Sequence, residues 1–68
     1  MTLEFLDHLA ERLRARRSAA CRRAISRILT AVKNRFEAGE YPNQPEAERD
    51  FRTWVEAEPI CREAEPEK

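Results

Sequence analysis

Apolar residues recur at helical spacing through the first half of this chain, with no glycine or proline to interrupt them before Gly39. At about 100° per residue, Leu6, Leu9, Leu13, Ala20, Ala24, Ile28 and Ala31 fall on one side, with Ala10, Cys21, Ile25 and Val32 along its edge. Arg12, Arg16, Arg22, Arg23, Arg27 and Lys33 fall on the other side. The pattern predicts one amphipathic helix over about 3–38, with Thr2 as N-cap, Glu4 and Asp7 at the positive end of the dipole and Gly39 as the αL residue that stops it. Arg14, Arg17 and Arg35 break the division of faces, and Arg17 points near the middle of the apolar stripe. The alternative is a break near Arg16–Ser18, with Ser18 capping a second helix.

The segment Tyr41-Pro42-Asn43-Gln44-Pro45 forbids helix continuation and predicts a turn. A second, short helix is expected from about Pro45 to Ala57, capped by Asn43 or Gln44 and ended by Pro59. Ala47, Phe51, Trp54 and Val55 share one of its faces. The fold class is therefore all-α, a helical hairpin in which Phe51, Trp54 and Val55 clamp onto Ile28, Val32 and Phe36 of the long helix. Residues 1–59 make a single domain, and 60–68 are expected to be an acidic, frayed tail, with Ile60 able to touch the core.

Lengths then suggest a partner. An unbroken first helix is about 54 Å long and the second about 20 Å, so folding back covers less than half of the apolar stripe. Leu6, Leu9, Leu13, Ala20 and Ala24 would stay wet in a monomer, at roughly 1.5 to 3 kcal/mol for each large side chain. A homodimer through this face follows as an expectation, since a chain of 68 residues has a marginal core.

The formal net charge is zero, yet nine cations and no acid lie between Arg12 and Arg35, whereas residues 36–68 hold ten acids against four bases. Such segregation lets acidic and basic parts of one assembly meet. Arg16, Arg22, Arg23 and Arg27 are the candidate partner-binding residues, facing a larger protein. Clustered arginine also suits phosphate, which makes nucleic acid the second reading. The run Ser18-Ala19-Ala20-Cys21-Arg22-Arg23 is similar to leucine-zipper basic regions in its paired alanines and Cys-Arg, but Arg16 stands where those regions carry Asn, and the Leu residues precede the basic run. A membrane surface ranks lower, because the centre of the apolar face is alanine.

No enzyme chemistry is expected. His8, Cys21 and Cys61 lack metal-ligand spacing, no base or acid is placed to form a dyad with Cys21, and no cofactor motif is present. There is neither a secretory pattern nor a run long enough to span a bilayer, so a cytoplasmic protein with reduced thiols is expected. A small non-enzymatic regulator, adaptor or inhibitor is the expected function.

Overall fold

The computed structural model describes residues 3–63, which form four helices: α1 (Glu4–Arg14), α2 (Ala19–Glu37), α3 (Gln44–Ala57) and α4 (Pro59–Glu63). The all-α class is as expected; the unbroken first helix is corrected to two. α1 ends in a tight turn in which Ala15 has φ −59° and ψ 132°, Arg16 has φ 64°, and the Arg17 N–H donates to the Arg14 carbonyl at 3.2 Å. These are the dihedrals of a type II turn, whose third position favours glycine. Here it is arginine, in the left-handed region. Ser18 then caps α2, its hydroxyl accepting from the Cys21 N–H at 3.1 Å.

Burial explains why the chain accepts this strain. A straight rod would leave its own leucines in water; the break folds α1 back along α2, so that Leu6 (0% exposed), Leu9 (4%) and Ala10 (0%) join Cys21, Ala24, Ile25, Ile28 and Val32. Two buried leucines are worth roughly 3 to 6 kcal/mol, against about 1 to 3 for one strained residue. The two helices run antiparallel: the Phe5 and Phe36 rings meet edge to face at 5.5 Å between centroids, and Lys33 pairs with Asp7 at 2.8 Å. The principal extents are 39 × 18 × 17 Å, well short of the rod. With Leu6 and Leu9 inside the chain's own core, the inference to a second copy loses its ground.

α2 ends as expected. Gly39 has φ 81°, its N–H donates to the Phe36 carbonyl and the Glu40 N–H to the Arg35 carbonyl, each at 3.0 Å, which is the Schellman pattern. Asn43 caps α3 through a 3.0 Å bond from the Glu46 N–H, with Pro45 in the first turn. Ala47, Phe51 and Val55 are fully buried in one cluster with Ile28 and Val32, and Trp54 is half-buried against it.

Beyond α3 the structure departs again from expectation. Residues 59–63 of the anticipated tail are helical, and the buried side chain there is Cys61 (2% exposed), while Ile60 is exposed. Cys61 forms a disulfide with Cys21, 40 positions earlier, which replaces the expected reduced thiols. The remainder of that tail, like the Thr2 cap, lies outside the described residues.

Candidate functional site

The inner face of α2 is taken by Cys21, Ala24, Ile25, Ile28 and Val32, which leaves Arg22, Arg23, Ser26 and Arg27 facing solvent. Arg14, from the last turn of α1, is brought beside them across the turn. Arg14, Ala19, Arg22, Arg23 and Ser26 line one shallow depression of about 320 Å³. Arg22 also closes the turn, its Nη1 donating to the Arg17 carbonyl at 2.6 Å. Arg17 faces the other way, lining a pocket of about 310 Å³ with Val55, Glu56, Cys61 and Arg62.

Two features set this surface apart electrostatically. Among the described residues the ion pairs are Asp7–Lys33, Glu40–Arg35, Asp50–Arg35 and Glu46–Arg49, so none reaches Arg12, Arg14, Arg16, Arg17, Arg22, Arg23 or Arg27. The first turn of α2 also carries no acid, and its start is ringed by cations although the helix dipole there favours anions. An incoming anion would meet arginine side chains and the positive end of a helix together.

The other end of α2 is chemically closed. Tyr41 donates a 2.6 Å hydrogen bond to Asp50 Oδ2, and Arg35 Nη1 lies 3.5 Å from the same oxygen. The Arg35 guanidinium sits 5.0 Å from the centre of the Trp54 ring. Burial, then the bond to Asp50, raises the Tyr41 phenol above its ordinary value. Arg35, Tyr41 and Asp50 line a polar cleft of about 370 Å³, but they engage one another and hold the α2–α3 loop.

Of the residues singled out from the sequence, Arg22 and Arg23 stand together. Arg27 continues their exposed face one turn on, and Arg16 sits in the turn. Leu6, Leu9 and Ala24 are buried in the chain's own core, with Leu13 and Ala20 half-buried at its margin. Ile28, Val32, Phe51 and Val55 belong to the single buried core, and Phe36 and Trp54 pack at its edge. Arg14, Arg17 and Arg62 were not anticipated. Their signal was the misplacement of Arg14 and Arg17 on the wheel of an unbroken helix. His8 is exposed, and among the described residues no group of three His, Cys, Asp or Glu side chains is placed to hold a metal ion. No helix of the described residues is long and apolar enough to cross a membrane. Comparisons with protein-family models, with curated proteins and with solved structures return no match.

Proposed function

We propose that this chain is a non-enzymatic interaction module that docks on an acidic face of a larger protein through Arg14, Arg22, Arg23 and Arg27. One observation carries the reading: with Leu6 and Leu9 covered internally, Arg14, Arg22 and Arg23 line one exposed depression at the start of α2, and no ion pair among the described residues reaches them. Arginine presents a rigid fork of donors that matches carboxylates, so such a surface selects acidic partners and speeds their encounter. The reading requires no second copy of the chain. The disulfide inclines it toward an oxidising compartment, since such bonds are rare where thiols are kept reduced.

Nucleic acid is the second reading, favoured by the placement of Arg22, Arg23 and Arg27 on one exposed helical face. One set of proteins separates the two. Wild type and the double variant Arg22→Glu/Arg23→Glu are used for co-purification from the native host and for titration with duplex DNA and single-stranded RNA. The protein reading expects a stoichiometric second protein at moderate salt that is lost with the charge reversal. Nucleic acid expects affinity that falls steeply between about 50 and 200 mM salt. Failure of both removes the arginine surface as a docking site.

A further inference from the structure

We infer that the Cys21–Cys61 disulfide is a thiol-exchange site, opened at Cys61 by a small anionic thiol of the glutathione class. The inference does not depend on the docking surface described above; it rests on how the two sulfurs are presented. Cys21 is fully buried, whereas Cys61, 2% exposed, contributes to the wall of the pocket formed with Arg17, Val55, Glu56 and Arg62. At about 310 Å³ this pocket is at the lower end of the size of small-molecule sites. Among the described residues that line it, Val55 is apolar and two guanidinium groups stand against one carboxylate, an excess that attracts an anion.

The element that carries Cys61 rests on α2 and α3, and the one buried side chain it contributes there is Cys61 itself. α4 is five residues long, too short to persist as an isolated helix. Among its residues whose burial is described, Cys61 alone is buried, and Ile60 and Arg62 are exposed. Slight opening of α4 therefore presents the Cys61 sulfur to the pocket while Cys21 stays inside.

The chemistry balances. A thiolate RS⁻ attacks the Cys61 Sγ, forming an RS–S bond as the Cys21–Cys61 bond breaks, and the bonding pair leaves on the Cys21 sulfur. Cys21 lies in the first turn of α2, three residues after the Ser18 cap, where the helix dipole offsets part of the cost of leaving a thiolate on a buried sulfur. A second RS⁻ attacking the bound R sulfur yields RS–SR and releases Cys61 as a thiolate. Two thiols are oxidised to one disulfide while the protein disulfide is reduced to two thiols. α4 is then free to leave the pocket, uncovering Val55 next to Arg17.

The test uses the oxidised chain with three thiols of similar size, 2-mercaptoethanesulfonate, 2-mercaptoethanol and cysteamine, at equal thiolate concentration, quenched with acid and mapped by mass spectrometry. The expected product is a mixed disulfide on Cys61 with Cys21 free. The anionic thiol should react about tenfold faster than the cationic one at low salt, as expected of electrostatic steering. That ratio should fall toward one in Arg17→Gln/Arg62→Gln and rise in Glu56→Gln. A mixed disulfide mainly on Cys21, equal rates for the three thiols with wild type, or resistance of the bond to all three would overturn the inference, and none of these outcomes needs a variant that folds.

Discussion

The two ends of α2 solve the same problem in opposite ways. At its C-terminal end, cations, acids and rings satisfy one another: Arg35 lies against Trp54 and Asp50, Tyr41 donates to Asp50, Phe5 meets Phe36, and Lys33 pairs with Asp7. At its N-terminal end the helix is fastened by a disulfide, and the arginines around it make no ion pair among the described residues. A region held by many weak side-chain contacts must use its polar groups for its own cohesion. A covalent link relieves the side chains near it of that duty, and the arginines there remain available to something else.

The contrast is most sharply tested by removing the link. Replacing both cysteines (Cys21→Ser/Cys61→Ser) should cost about 4 kcal/mol, the loop-closure value for cysteines 40 positions apart, measured by chemical denaturation beside the oxidised wild type. Hydrogen exchange should then quicken in α4 and the first turn of α2 but hardly in the last turns of α2; uniform quickening would show that the ends are not independent. At the other end the weight is in packing, and Leu6→Ala should cost about 2 to 5 kcal/mol. A cost near zero would return Leu6 to an outer face.

Smaller effects refine the picture. Tyr41→Phe should cost about 1 kcal/mol through the lost bond to Asp50. Because the folded phenol is raised above its ordinary value, this contribution is complete below about pH 10 and is lost as pH climbs through the folded value. The stability gap between wild type and Tyr41→Phe should therefore close in alkali, as followed by urea midpoints; a constant gap would deny the hydrogen bond its share. Arg16→Gly should leave stability equal or higher, by up to about 1 kcal/mol, since glycine suits the third position of this turn. A clear loss in thermal melts would mean that the Arg16 side chain contributes more than its backbone strain costs.

Much of the closed end could be read in the sequence. Gly39, Asn43 and Pro45 are residues whose local chemistry allows few alternatives, and they stop one helix and start the next where expected. Phe51 and Val55 were fixed by their spacing. The open end could not be read so directly. Its turn uses arginine where glycine is usual, and the local signal was limited to Ser18 and the awkward placement of Arg17 on the apolar stripe. What decides the break is tertiary, the burial of Leu6 and Leu9 against α2, which no local preference reports. The disulfide depends on the same folding back of distant segments and on the redox environment, so two cysteines far apart read as reduced thiols. The candidate arginines were legible as a cluster, but their grouping with Arg14 appears only once α1 and α2 part company.

The bond between Cys21 and Cys61 also gives the chain a topology, a closed ring that contains most of α2, all of α3 and the start of α4, with α1 hanging outside it. A nick by a protease anywhere inside the ring leaves one covalent molecule, while a nick in the Ala15–Arg17 turn sets α1 adrift. Pulled from its two ends, the oxidised protein hides its 40-position loop from the force, withholding roughly 140 Å of contour that the reduced protein would give up. A single-molecule trace would thus report the state of the ring by length alone.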